Sequence, residues 1–451
     1  MIAGYGKAKL VLFVFACLFL PFPAQAAAEE GEERLTLQQA YLTALEHNRE
    51  IASSRENVEQ SRHRVDEVAS QLYPQIAATG QHTRQKELQE DRMSPTTDTI
   101  PGTPEHYSTL SLNLDQHIYQ WGRVWSGKRA AEEFLEGTRQ GHARNVQEIL
   151  FQVTSSYYAV LLAERHVEIA ESSLKRAERH LEQARSRYEV GVVTHTDVLR
   201  AEVQVAQAAE ELERARNDMD LALEDLALHM GVMQVERDLA EPEEMRPSRD
   251  PDMDELYSRA LDNRRDLDQM QRRASALEEN VQQQRADYFP RLSAHGSYTR
   301  TDEPDIFQDN RENWEASLRL SYPLFQGGRD RAELHKARSE LAQSQAELGH
   351  MRQQIRNQVR SVHLDIRTQR RVIQQLEKQV ESARSHYEQV SAQFEEGVAS
   401  SVDLVDALTA LNEAENRLAQ ARFDYQLDQV RADLVTGIFQ KELVTDKELS
   451  P

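Results

Sequence analysis

Apolar residues recur in steps of three and four along two long segments of the chain. They lie at Val153, Val160, Val167, Ala170, Leu174, Ala177, Leu181, Ala184 and Tyr188 in the first segment, and at Ile355, Val359, Val362, Ile366, Ile373, Leu376, Val380, Ala383, Tyr387, Val390 and Phe394 in the second. A period of about 3.5 residues is typical of helices that coil around each other with a left-handed twist. Each segment covers about 65 residues, which predicts a helix about 100 Å long.

Each long helix is predicted to end at a glycine, Gly191 or Gly397, because glycine readily adopts the left-handed conformation that closes a helix. A returning helix should follow, with Thr196 or Ser401 as its candidate cap. These returning segments are too weakly amphipathic to be stable alone. We therefore expect two antiparallel helical hairpins.

Two shorter helices are predicted near residues 36–72 and 254–288, and each ends just before a proline, Pro74 or Pro290. The periodicity of apolar residues changes after these prolines. Apolar and polar residues then alternate one for one, which predicts strand hairpins at about 74–119 and 290–325. Strands of about 10 residues suit a tilted crossing of a bilayer, although strands of soluble sandwiches share the pattern. The flanking helices cannot cover the apolar face, so it needs lipid or other subunits. Since a closed barrel needs about 8 strands, we also expect oligomerisation.

The two halves of the chain are copies of each other. Ala44 recurs as Ala260, an offset of 216 residues, whereas Tyr188 recurs as Phe394, an offset of 206. The length difference falls in the loops of the strand hairpins, and loops that accept insertions face solvent. The predicted organisation is a first repeat at 27–235, a linker at 236–252, a second repeat at 253–440 and a tail at 441–451.

Composition and the chain start indicate an exported protein. Two lysines, an apolar run and a small-x-small site at residues 24–26 predict a signal peptide at 1–26.

Beyond residue 26 no run of 18 apolar residues occurs, and mean hydropathy is −0.71. The 54 basic and 76 acidic residues leave a net charge of −22, which argues against a nucleic-acid partner. Cys17, the single cysteine, lies inside the apolar run, and its lipidation is the less favoured alternative.

Four duplicated motifs carry a family resemblance across nearly the whole mature chain. Residues 116–123 (QHIYQWGR) pair with 322–329 (YPLFQGGR), and residues 188–197 (YEVGVVTHTD) pair with 394–403 (FEEGVASSVD). The chain thereby resembles the TolC family of outer-membrane efflux proteins. His117 departs from that pattern, since the family and Pro323 in the other half favour proline there.

The resemblance implies a fold that is mainly α with a small β part. It implies a homotrimer in the outer membrane of a Gram-negative bacterium, with a transmembrane β-barrel of four strands per subunit and a long periplasmic coiled-coil barrel. It also implies two partners, an inner-membrane pump and a periplasmic adaptor, and a function as the exit duct of an efflux or type I secretion system. The adaptor-docking residues carried over by the resemblance are Gly191, Val192, Thr194, Gly397, Val398 and Ser400.

The resemblance also implies a periplasmic gate. Asp403 and Asp406 match two acidic residues at the entrance, and their spacing of three places them on one helix face. Threefold symmetry would gather six carboxylates, a ring that attracts cations, although a solvated helix face is the plainer alternative. Thr196 and Asp197 match the family's gate tether.

The tether pattern is incomplete in this chain. Phe394 stands where the family has a tyrosine hydroxyl, and Ala399 replaces a basic residue. Two hydrogen-bonding partners of the family's closed gate are therefore missing, and either other pairs latch the closed state or the resting channel is held differently.

No enzyme signature stands out in the chain. The 15 histidines show no metal-ligand spacing, the mature chain has no thiol, and Gly327-Gly328 is not a phosphate-binding loop. We expect no enzyme activity, cofactor or metal. The alternative function is a periplasmic coiled-coil scaffold without a pore, which explains the heptads but not the strand hairpins. Drug, metal and polypeptide all stay open as the exported substrate, since the pump largely recognises it.

Overall fold

The computed structural model describes residues 34–84, 106–235, 238–241, 252–302 and 311–440. The predicted signal peptide at 1–26 and tail at 441–451 lie outside these ranges, as do most of the linker at 236–252 and most of both strand-hairpin loops. The described helices are α1 (Leu37–His47), α2 (Arg49–Ser70), α3 (Arg123–Glu189), α4 (His195–Met230), α5 (Met253–Asn263), α6 (Arg265–Ala286), α7 (Arg329–Glu396) and α8 (Ser401–Val435). The strands are β1 (Gln75–Arg84), β2 (His106–Tyr119), β3 (Arg291–Asp302) and β4 (Arg311–Ser321).

Helices α3 and α7 are continuous over 67 and 68 residues, so each is about 100 Å long. Each returns through a tight turn into a helix of about half that length, α4 or α8. The two long helical hairpins predicted from the heptad pattern are confirmed. None of the helices in the described ranges has the length and apolar character needed to cross a membrane.

The prediction of one uninterrupted short helix in each half is wrong. The chain breaks at Asn48 and at Arg264, where ψ is 124° and 119°. Asn48 Oδ1 accepts the N–H groups of Glu50 and Ile51 and so caps α2, at 2.8 and 3.2 Å. Its Nδ2 donates to the carbonyl of His229 at 2.8 Å, which ties the break to the end of α4.

A glycine packs against each of these breaks. Gly231 and Gly437, at φ +76° and +73°, close the returning helices in the left-handed region. A Cβ atom at Gly231 would lie 2.6 Å from the carbonyl oxygen of His47, and one at Gly437 would lie 2.7 Å from the carbonyl carbon of Asn263. The helix breaks therefore result from a tertiary contact, in which the backbone of Gly231 or Gly437 packs directly against the backbone at the break.

The four strands form one antiparallel sheet in the order β1-β2-β3-β4. Both hairpins have the same register, since Ala78 faces Leu112 in the first and Ala294 faces Leu318 in the second. Strands β2 and β3 join the hairpins, with Leu112 opposite Tyr298. Within one chain, β1 and β4 are the two edges of this described sheet.

The helices continue the same lateral order. Next to the sheet α3 packs against α2 and α6, and α6 packs against α7; farther away α3 packs against α4 and α8, and α8 packs against α7. The main apolar core lies where these two layers meet, around the fully buried Leu150, Val153, Tyr157 and Leu226. One side of the protomer therefore ends in β1, α2 and α4, and the other ends in β4 and α7.

Candidate functional site: the tips of the helical hairpins

The first tip, between α3 and α4, is a glycine turn followed by a capped helix. Gly191 has φ +76°, and the N–H of Val192 donates to the carbonyl of Arg187 at 2.9 Å, which closes α3. Thr194 begins α4, and both its backbone N–H and its hydroxyl donate to Asp197 Oδ2, at 3.0 and 2.7 Å. The Thr194 hydroxyl is the main reason why the pKa of Asp197 is lowered.

The second tip, between α7 and α8, repeats this construction. Gly397 has φ +83°, and the N–H of Val398 donates to the carbonyl of Gln393 at 2.8 Å. Ser400 donates from its backbone N–H and its hydroxyl to Asp403 Oδ2, at 3.0 and 2.6 Å. The helix caps are therefore Thr194 and Ser400, and the prediction of Thr196 and Ser401 is wrong because an aspartate three residues after the cap completes a capping box.

The residues predicted to dock an adaptor lie at the ends of both tips. Val192 and Val398 expose 62% and 74% of their surface, although both are aliphatic. A Cβ atom added to either Gly191 or Gly397 would meet nothing within 4 Å. These glycines are therefore required for their positive φ and not for close packing, and the space around them is open.

The two predicted gate carboxylates lie on the exposed face of α8 and differ in their surroundings. Asp403 is held by Ser400, and hydrogen bonds from that residue lower the pKa of its carboxyl group. Asp406, one turn further on, lines a groove between α4 and α8 together with Thr196 and Arg200. Hence Asp403 also serves the helix cap, whereas Asp406 faces open space beside the predicted tether residue Thr196.

Phe394, which breaks the family's tether pattern, is buried in the second tip. It packs with Val390, Leu404 and Ala407 and exposes only 2% of its surface. The guanidinium of Arg187 lies over its ring at 4.8 Å, and the imidazole of His180 meets the ring edge-on at 5.0 Å. The position is therefore apolar, with two residues of α3 covering the ring.

Sequence reasoning missed the contacts that join the two hairpins near their tips. His180 Nε2 lies 3.0 Å from Ser401 Oγ, and Gln183 Nε2 donates to Glu395 Oε1 at 3.0 Å. Arg187 donates to the backbone carbonyl of Glu395. The available signal was the spacing of His180, Gln183 and Arg187, because residues three and four apart share a helix face.

The sheet carries an exposed apolar face at the opposite end of the molecule. Alternate residues of β2 and β4 point the same way and are exposed, including Leu110, Leu112, Leu318 and Leu320. Exposed contiguous apolar surface of this kind marks a surface that contacts lipid or another protein. Aromatic side chains border it where strands meet helices: the rings of Trp121 and Phe289 are stacked 4.9 Å apart, and Tyr119 packs against Trp121.

Residues 40–232 and 256–437 match the outer membrane efflux protein family. The chain belongs to this family. Outer-membrane efflux proteins export material across the outer membrane, so the channel function predicted from the sequence is confirmed and the scaffold alternative is set aside. Family membership likewise confirms the outer-membrane location.

Curated relatives of this efflux protein share about a quarter of its residues. The outer membrane protein TolC of Salmonella enteritidis is 23% identical over 90% of this chain and 82% of its own length. The alkaline protease secretion protein AprF of Pseudomonas aeruginosa is 24% identical over 73% of this chain and 70% of its own. The pyoverdine export outer membrane protein OpmQ of the same species is 27% identical over 64% and 61%.

Solved structures share the fold. The Campylobacter jejuni CmeC outer membrane channel superposes with a TM-score of 0.79 at 15% identity, covering 92% of this chain and 89% of that one. The Vibrio cholerae outer membrane protein VceC gives 0.76 at 19% identity, covering 89% and 96%. The predicted fold class, long helical hairpins with a small sheet, is therefore confirmed.

Proposed function

We propose that three copies of this chain form the exit duct of a tripartite efflux or type I secretion system, joined to an inner-membrane pump through a periplasmic adaptor. The observation that carries the trimer is the lateral order of the protomer. Its open edges, β1 with α2 and α4 on one side and β4 with α7 on the other, run the full length of the molecule. Two different edges that meet head to tail generate a closed ring when the rotation closes.

The sheet supports a ring that spans the outer membrane. Four strands are too few for a closed barrel, whereas three copies supply twelve, and closure leaves no strand edge in lipid. The exposed leucines of β2 and β4 would face the acyl chains. Trp121 and Phe289, at the junction with the helices, would lie at the lipid headgroups on the periplasmic side, where aromatic side chains are enriched.

The tips support docking and gating at the other end. We assign adaptor docking to Gly191, Val192, Thr194, Gly397, Val398 and Ser400, because aliphatic side chains exposed on a rigid turn offer an apolar contact in an otherwise charged protein. The six carboxylates of Asp403 and Asp406 in a trimer would line the periplasmic entrance and attract cations. We assign the gate tether to Thr196 and Asp197, because Thr196 lines the same groove as Asp406 and Asp197 is held by Thr194 at the adjoining start of α4.

The inner-membrane pump would determine which substrate passes through the duct. The names of relatives refer to alkaline protease secretion, pyoverdine export and toluene efflux, which are chemically unrelated cargoes. A shared duct that serves such different cargoes suits recognition by the inner-membrane partner. We therefore propose that this chain passes whatever its pump and adaptor deliver.

The test is single-channel conductance of the detergent-purified trimer in planar bilayers. Replacing Asp403 and Asp406 together with alanine should raise conductance and weaken block by multivalent cations, because the carboxylate ring that binds them is gone. Glu413, exposed on the same helix three turns from the tip, offers a matched control as Glu413→Ala, which should behave like wild type. A water-soluble monomer would contradict the trimeric duct, and unchanged conductance and block in the double variant would remove these carboxylates from the gate.

A further inference from the structure

A stripe of polar side chains on α3 faces the second hairpin along the last turns before the tip. The spacing between its members alternates between three and four residues, which places them on one helix face. They are Ser173, Arg176, His180, Gln183 and Arg187. Above His180, Asn412 Nδ2 donates to Ser173 Oγ at 2.6 Å, and Arg176 donates to Asn412 Oδ1 at 2.7 Å. His180 contacts Ser401, and Gln183 and Arg187 contact Glu395, as described above. Every member of the stripe therefore contacts α7 or α8.

The seams inside each hairpin are apolar, in contrast to this stripe. Ala184, Val198 and Ala201 pack together between α3 and α4, and a separate cluster around Phe394 and Leu404 packs between α7 and α8. Separating an apolar seam exposes hydrocarbon to water, whereas the groups of a polar contact can exchange their protein partners for water at a smaller net cost. The hairpins are therefore built to stay intact while the contact between them can open.

His180 is the buried member of the stripe nearest to the second tip. Its side chain lies between α8, through Ser401 Oγ, and α7, through the edge of the Phe394 ring. Only 4% of its surface is exposed, and its Nδ1 atom is buried without a hydrogen-bond partner. Burial lowers the pKa of His180 below its ordinary value, so the neutral ring is favoured while the contact is closed.

A proton taken from solution disturbs this contact in either tautomer of the ring. If Nδ1 is bare, it becomes a buried donor without an acceptor; if Nδ1 already carries hydrogen, Nε2 becomes a donor and the Ser401 hydroxyl must turn around. The cation also loses hydration in this site, which is costly unless it is paired.

The charged groups around His180 give the cation little compensation. The carboxylate of Asp197 on α4 attracts it but is committed to Thr194. On α7, Glu395 accepts from Gln183, and on α3 itself Arg187 carries a like charge above the same phenyl ring. From α8 the neutral Ser401 faces the ring, and nearby Asp403 is bound to its cap residue, Ser400.

We propose that His180 is an acid-sensitive fastener whose protonation releases the α7–α8 tip from the α3–α4 tip and so widens the periplasmic end of the duct. This inference rests on the proposed function, because it assumes that the tips surround the entrance. The chain then responds to acidification of the periplasmic side through an internal contact between its two repeats.

The experiment compares conductance while the periplasmic chamber is brought from about pH 7.5 to about pH 5.5, on either side of the ordinary histidine pKa of about 6.5. Wild-type conductance should rise several-fold. His180→Gln retains a hydrogen-bonding group toward Ser401 but does not titrate in this range, so its conductance should stay at the low value. Ser401→Ala removes the other half of the bond and should raise conductance at pH 7.5 already. His195→Gln, at an exposed histidine of the first tip, is the matched control and should retain the wild-type response.

A second readout does not depend on conduction. Nitroxides at Glu189→Cys and Glu396→Cys, both exposed and one on each tip, should move apart at low pH, and adding His180→Gln should abolish that change. Trimers assembled with excess unlabelled chain restrict the measurement to pairs within one protomer. A pH response of His180→Gln equal to wild type, or an unchanged distance at low pH, would overturn the fastener even if the trimer conducts. A movement of the tips in a protein that never conducts would support the fastener and count against the duct.

Discussion

Helices α3 and α7 occupy equivalent positions in the two repeats and have nearly the same length, yet their surroundings differ. In α3, 24 of 67 residues are buried in the protomer; in α7, 7 of 68 are. Helix α3 packs against helices of both repeats, whereas α7 packs chiefly against α5, α6 and α8. The apolar residues of α7 at heptad positions, such as Ile366 and Ile373, are only half-buried. The difference shows that α3 forms the interior of the protomer, whereas α7 leaves an apolar surface uncovered, which is the surface that the proposed ring would place against a neighbouring copy.

A charge placed on either of these helices should have severe but different consequences. Val160 on α3 is fully buried, so Val160→Asp should cost more than about 4 kcal/mol and prevent folding of the protomer. Leu364 on α7 exposes 48% of its surface in the protomer, so Leu364→Asp should leave the protomer folded but abolish the trimer. Circular dichroism and native mass spectrometry in detergent separate the two outcomes. If Leu364→Asp still gives wild-type trimer, α7 is not the interface we describe.

A smaller loss of stability distinguishes Gly231, at the end of the returning helix α4, from Gly191, at the first tip. Gly231→Ala must accept both a positive φ, at about 1–2 kcal/mol, and a clash with the backbone at His47, at about 1–3 kcal/mol more. Gly191→Ala bears only the first cost, because its surroundings are open. Thermal unfolding should therefore place Gly231→Ala well below Gly191→Ala. Equal midpoints would mean that the packed break at Asn48 adds nothing to stability.

The smallest expected effect tests a feature that the duplication preserved. Glu171 pairs with Arg216 at 3.4 Å in the first hairpin, and the equivalent Glu377 pairs with Arg422 at 2.9 Å in the second. All four side chains are about half exposed, so water and salt screen both pairs. Arg216→Ala and Arg422→Ala should each change the free energy of unfolding by less than about 1 kcal/mol. A larger loss for Arg422→Ala alone would indicate that a neighbouring copy shields the second pair.

The sequence predicts most of this fold because two strong periodicities repeat along it. The heptads give α3 and α7, the alternation gives the strands, and the glycines at 191 and 397 give the tips. The breaks at Asn48 and Arg264 escape such reasoning, since they depend on contact with Gly231 and Gly437, which are far away in sequence. Asn48 is a residue type that favours helix caps, whereas Arg264 carries no such local signal.

The candidate site was predictable in position and less so in chemistry. The tip residues and Asp403 lie in the motif pairs, and Asp406 is carried over from the acidic pair of the family; all of them lie at the tips or within the first two turns of the returning helix. The contact between the hairpins could not be predicted from α3 alone. Its polar stripe would be an ordinary solvent-exposed helix face if Ser401 and Glu395 did not lie opposite it. Phe394 is buried where the family pattern has a hydroxyl, and its ring contacts apolar side chains and two residues of the α3 stripe instead of making a hydrogen bond.

The duplication allows a ring closed through unlike edges to be specified residue by residue. Both strand hairpins share one register, so the pairing of β2 with β3 predicts the pairing of β4 with β1 of the next copy. Asn113 faces Ser297 in the first case. The equivalent pair between neighbouring copies is Arg319 with Gln81, by the repeat offsets of 206 and 216 residues.

The most direct measurement is therefore disulfide formation between Arg319→Cys and Gln81→Cys in a chain whose single cysteine, Cys17, lies in the predicted signal peptide. Directly opposed residues of an antiparallel pair lie within reach of a disulfide. If the ring closes through β4 and β1, oxidised protein will run as a covalent trimer on a denaturing gel and as a monomer after reduction. The displaced pair Arg319→Cys with Thr79→Cys should stay monomeric. Monomer alone from the first pair, in a preparation that is trimeric before denaturation, would contradict closure of the ring through β1 and β4.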